Sequence, residues 1–118
     1  MDSIIDGIMA ISPGVRYVAV CRAGRLSSRQ RPGLAGASAS ESDRYEELIV
    51  NPVLLELVKR RGDIDCGGAR WLVIGYGHFF QLVCAVDGGH VSVAFELDQD
   101  PMRHMPDVLR VLAAHGLA

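Results

Sequence analysis

The sequence predicts an α/β domain of the α+β kind, a five-stranded antiparallel sheet with helices on both faces, in the order α-β-β-α-β-β-β-α. Three observations carry this. Residues 71–96, WLVIGYGHFFQLVCAVDGGHVSVAFE, hold three short apolar runs parted by glycine-containing turns, the pattern of a meander. Those runs are apolar on nearly both faces, whereas an antiparallel sheet with one solvated face alternates with polar residues. Amphipathic helices stand before, between and after the strand regions, enough to cover both faces.

In order along the chain, DSIIDGIMAI (2–11) sets Ile4, Ile8 and Ile11 on one helical stripe with Ile5 and Met9 beside it, and Ser12-Pro13-Gly14 stops that helix. VRYVAVC (15–21) alternates as a strand, and RAGR (22–25) turns it with Gly24 available for positive φ. LSSRQRP (26–32) is a polar second strand with Arg25, Ser27, Arg29 and Arg31 on one face and Pro32 at its end, a composition that protects a sheet edge. GLAGASASES (33–42) reads as a mobile loop. From Ser42 the period becomes helical through Tyr45, Leu48, Ile49, Val53, Leu54, Leu57 and Val58. Within that run Asn51 suits an N-cap, Pro52 a first helical position and Gly62 a C-cap, which predicts a fresh or kinked helix over 52–61. The meander strands fall at 70–76, 79–86 and 91–97. DQDP (98–101) then opens a closing helix with Met105, Val108, Leu109 and Leu112 on its apolar stripe, kinked or restarted at Pro106.

The 118 residues make a single domain, 1–118, with 49% apolar and 22% charged side chains, the balance of an ordinary globule. A net charge of −2 gives no general attraction to nucleic acid or anionic lipid. Three cysteines cannot form an even disulfide framework; Cys21 and Cys84 fall in apolar strands and Cys66 in a connection. An N-terminus with Asp2 and Asp6 in place of a basic region argues against a signal peptide, and no run is long enough to insert in a membrane. The expected address is cytoplasmic.

Chemistry-bearing residues are few. His78 and His90 at strand turns with Cys84 between them match no zinc spacing, so no metal or other cofactor is expected. Cys66 in DIDCGG would need a base within hydrogen-bond reach to act as a nucleophile, and the sequence places none there. Gly75-Tyr76-Gly77 and Gly88-Gly89 join strands, whereas a phosphate cradle opens a helix. The arginines near the second strand lack the interleaved aromatics of a nucleic-acid groove. The domain therefore carries no catalytic signature. The central helix is apolar over a wide arc, as a helix packed on two sides would be.

This order, with DRYEELIVNPVLLELVKRRG as central helix, GGARWLVIGYGHFFQLVCAVDGGHVSVAFE as meander and an acidic turn into a closing helix, resembles the Roadblock family of dynein light chains and their bacterial and archaeal relatives. The resemblance implies a dimer, a homodimer in the simplest case, with no active site of its own. It also implies a platform offered to a partner, often a small Ras-like GTPase. In the family the second strands or central helices of two protomers meet, which points to Leu26, Ser28, Gln30, Leu54 and Val58 for dimer packing. Partner contact is expected at Arg44, Glu47 and the loop before them. The rival reading is a small-molecule sensor of profilin-like fold, with a cavity lined by Trp71, Phe79 and Phe80.

Overall fold

The computed structural model describes residues 2–118. Helix α1 (Asp2–Met9) leads into β1 (Val15–Arg22) and β2 (Arg25–Gln30). A long helical segment follows as α2 (Ser40–Tyr45), a π-helical turn (Glu46–Val50) and α3 (Asn51–Asp65). The meander is β3 (Trp71–Gly75), β4 (Phe80–Val86) and β5 (Gly89–Phe95), and α4 (Pro101–Ala114) closes the chain. The strands form one five-stranded antiparallel sheet in the order β2-β1-β5-β4-β3. The fold class and element order expected from the sequence are those observed.

The two faces of the sheet are unlike each other. On one, Val18 and Val20 of β1, Leu82 and Cys84 of β4, and Val91, Val93 and Phe95 of β5 pack with Ile4, Ile5 and Ile8 of α1 and Met105, Val108 and Leu112 of α4. This is the main core. The arginine row of β2 serves the same side. Arg29 pairs with Asp6, and Arg31 donates to the carbonyls of Met9 at 3.0 Å and Val15 at 2.8 Å. Those arginines hold α1 and its exit carbonyls, so they are more than a solvated edge.

The opposite face lies under the central helical segment and is mostly small or polar: Tyr17, Ala19, Cys21, Gln81, His90, Ser92 and Ala94, with Val83 buried beside Ser92. Helices thus cover both faces, which explains meander strands with no solvated side.

Asn51-Pro52 neither caps nor restarts the helix. Asn51 has helical dihedrals (φ −64°, ψ −45°), and its N–H reaches back five residues to the Glu46 carbonyl. Pro52 lacks an N–H and its ring crowds the carbonyl four residues earlier. The wider π turn just ahead of it absorbs that conflict and keeps the helical path continuous. Gly62 is likewise helical and buried. A Cβ there would stand 2.5 Å from the Gly68 carbonyl oxygen, so this glycine admits the returning chain and does not end the helix. Pro106 sits inside α4 without restarting it; the N-cap is Asp100, whose side chain accepts from the Met102 N–H at 2.9 Å. The loop after β2 is fastened, because Arg16 Nη2 donates to the Ala35 carbonyl at 3.0 Å.

Among the described residues no helix is long and apolar enough to cross a membrane.

Candidate interaction face and the polar cluster beneath it

The central helical segment has two contrasting sides. Its outer side carries Tyr45, Leu48, Ile49, Val53, Leu57, Val58 and Ile64, seven of the eleven large apolar residues exposed among those described. Tyr45, Ile49, Val53 and Leu57 recur every fourth residue and form a stripe along the helix. Single exposed apolar residues are ordinary on any surface, but a row of this length is not.

The inner side is anchored by Glu47, which is fully buried. The π turn carries this residue against the polar face of the sheet, where four donors converge on its carboxylate. Tyr17 OH donates to Oε2 at 3.0 Å, Asn51 Nδ2 to Oε1 at 2.7 Å and His90 Nε2 to Oε1 at 2.9 Å. Ser92 Oγ lies 2.6 Å from both oxygens. As an acceptor the carboxylate is satisfied by this set of partners, with His90 presenting its Nε2 to it. Burial first, then the neighbouring Glu47, pushes the Tyr17 hydroxyl well above its ordinary range, and the same two causes raise the Cys21 thiol.

A recess of about 400 Å³ opens beside this cluster. Its floor is the sheet at Tyr17, Gln81 and Ala94, and its walls are the start of α2, the loop after β2 and the β3–β4 turn. Tyr76 OH donates to both Glu46 oxygens at 3.0 and 3.1 Å across one wall. Arg16, placed at the irregularity in the β1–β5 register, is nearly buried. It turns to Glu96 at 3.1 Å, with its guanidinium 5.5 Å from the Phe79 ring centre.

The residues singled out from sequence separate accordingly. Leu26, Ser28 and Gln30 alternate onto the β2 face that looks toward the central helix, and all three keep some exposure. Val58 is exposed and Leu54 half-buried, both beside the stripe and not in its centre. Arg44 is exposed. Glu47 cannot meet a partner as expected, because it lies wholly beneath the helix as the acceptor of the cluster. Cys84 faces the main core whereas His90 faces the opposite side, so the two do not share a site. Trp71 and Phe80 pack at the edge of the main core and Phe79 with Tyr17 on the other face, so the single cavity expected between them does not form. Sequence reasoning missed the Glu47 cluster. The available signal was that Tyr17, Gln81, His90 and Ser92 fall on one sheet face by strand alternation, a polar strip that needs a polar lid.

A five-stranded antiparallel sheet of this strand order, with the terminal helices on one face and a long central helix on the other, is the Roadblock/LC7 fold. A solved structure of a Roadblock/LC7 domain from Streptomyces avermitilis superposes with a TM-score of 0.73, covering 97% of this chain and 92% of that one at 14% identity. No protein-family model and no curated protein matches the chain. At that identity the likeness is one of fold.

Proposed function

We propose that this domain is a non-enzymatic dimeric scaffold or regulator that binds a small Ras-like GTPase or a related signalling protein. The observation that carries the reading is the stripe Tyr45, Ile49, Val53 and Leu57 on a helix already anchored on its other side by Glu47. Its occupant on this reading is a second copy of the chain. A row of exposed apolar residues along one helix can meet the same row of a second copy across a twofold axis, the self-complementary pattern of an isologous interface.

The GTPase rests on the resemblance to the Roadblock family and on the fold. Exposed Arg44 remains the contact residue to examine, and Glu47 drops out. Light scattering across a dilution series gives twice the protomer mass on this reading. Val53→Asp with Leu57→Asp reduces it to the protomer while leaving the circular dichroism spectrum unchanged. A monomer at high concentration in the unaltered protein sinks the platform. For the partner, a labelled small GTPase loaded with a GTP analogue is titrated into the dimer. Binding that Arg44→Glu weakens supports the assignment, and no binding in either nucleotide state removes it.

A further inference from the structure

We infer that the recess between the sheet, α2 and the β3–β4 turn is a binding site for a small organic cation, a protonated amine on a flat apolar body that also carries a carbonyl group. Three independent features of its wall define that ligand. All three tyrosines of the chain, Tyr17, Tyr45 and Tyr76, line the recess together with Phe79, four of its seven aromatic residues. Aromatic faces gathered around a cavity of about 400 Å³ suit a flat or cationic guest, and the volume falls in the range of small-molecule sites.

The second feature is charge. Asp43 and Glu46 stand in the wall, and the ion pairs of the described residues leave both without a cation. Arg16, also at the wall, is engaged by Glu96 and the Ala35 carbonyl. Burial raises the carboxyls of Asp43 and Glu46 above the ordinary range, the neighbouring Glu47 adds to this in both, and the Tyr76 hydrogen bond opposes it at Glu46. A bound ammonium supplies the missing cation.

The third feature is on the floor. Gln81 is 2% exposed, and its Nε2 meets no hydrogen-bond acceptor in the protein. A buried amide donor without a partner is costly to keep, and a leucine of similar size would sit in its place more comfortably. Gln81 lines the floor of the recess, and turning its side-chain amide toward the cavity lets Nε2 donate to a ligand carbonyl.

The probe is 4-(aminomethyl)benzamide, which holds an ammonium and a carbonyl at opposite ends of one ring. Its control is 4-carbamoylbenzoate, of the same shape with the charge reversed. Both are titrated into ¹⁵N-labelled protein. The expected result is saturable shifts at Tyr17, Gln81 and Ala94 with a dissociation constant in the millimolar range or tighter, roughly what a fragment of this size attains. The control is bound more weakly. Asp43→Asn and Gln81→Leu each weaken the probe by about fivefold to tenfold, one polar contact apiece, while both variants melt no lower than the parent. No saturable shift at those residues overturns the proposal. Equal binding of the reversed-charge control, or unaltered binding in both variants, also overturns it.

Discussion

Replacing Glu47 with leucine tests whether the central helix is held to the sheet by its buried carboxylate. The substitution keeps a side chain of similar reach and removes the acceptor for Tyr17 OH, Asn51 Nδ2, His90 Nε2 and Ser92 Oγ. Each donor left buried without a partner costs about 1–3 kcal/mol, which for four would reach roughly 4–12 kcal/mol if nothing relaxed. Water entry and the burial of leucine, worth about 1.5–3 kcal/mol, reduce that. The expected loss is about 3–5 kcal/mol, the scale of breaking a buried polar pair from one side. Against a total stability of about 5–15 kcal/mol this is a large fraction. Urea unfolding followed by the fluorescence of Trp71, the lone tryptophan, measures it as a shifted midpoint with unchanged slope. A cycle with Tyr17→Phe gives the second check. That change costs about 1–2 kcal/mol alone and close to nothing, or a slight gain, once Glu47 is leucine. A loss below about 1 kcal/mol for Glu47→Leu, or the same Tyr17→Phe cost in both backgrounds, refutes the reasoning.

Other expectations follow from the same geometry. Gly62→Ala ordinarily stabilises a helix interior, yet here the new Cβ meets the Gly68 carbonyl. A loss of more than about 1 kcal/mol in urea is expected, and a gain would mean the connection yields freely. Arg31→Met strips the donors to the Met9 and Val15 carbonyls, and faster hydrogen exchange in α1 with β4 unchanged would show it. In alkali the domain weakens. Burial raises the Cys84 thiol and, first among its causes, the Tyr76 hydroxyl to about 12 each, and Tyr17 is raised too. The unfolded chain releases these protons first, so stability is whole below the ordinary thiol and phenol pKa values and falls as pH climbs toward 12. A urea midpoint that rose over that window would contradict the assignment. Cys66 is exposed and Cys84 buried, so a disulfide reagent at neutral pH modifies Cys66 first and Cys84 only on unfolding.

Much of the fold was legible because its signals are local. Asp87-Gly88-Gly89 between apolar runs marks a hairpin, and Asp100-Pro101 marks a helix start; the structure uses both. Misreadings arose where tertiary contact overrides a local rule. Asn51-Pro52 and Gly62 carry sequence signals of helix ends, but a π turn accommodates the proline, and the glycine is needed for the returning chain. Glu47 on an amphipathic helix reads as solvated. Only the phase shift of the π turn, together with His90 and Ser92 from a strand more than 40 residues later, makes it buried. His90 follows two glycines and so resembles a turn residue, although it lies within β5. The recess was equally hidden, because its lining comes from five separated stretches.

The strand order has a consequence for how the chain comes together. β1, the most deeply enclosed strand, sits between β2 and β5, and Val15 is paired with Phe95. During synthesis β1 and β2 emerge early and can close as a local hairpin. β1's other edge has no neighbour until nearly the whole meander has left the ribosome, several seconds later at about 5–20 residues per second. Until then the nascent chain carries two half-sheets with open edges. Their union is the slow, long-range step, which makes a chain stalled after β4 the form most exposed to aggregation.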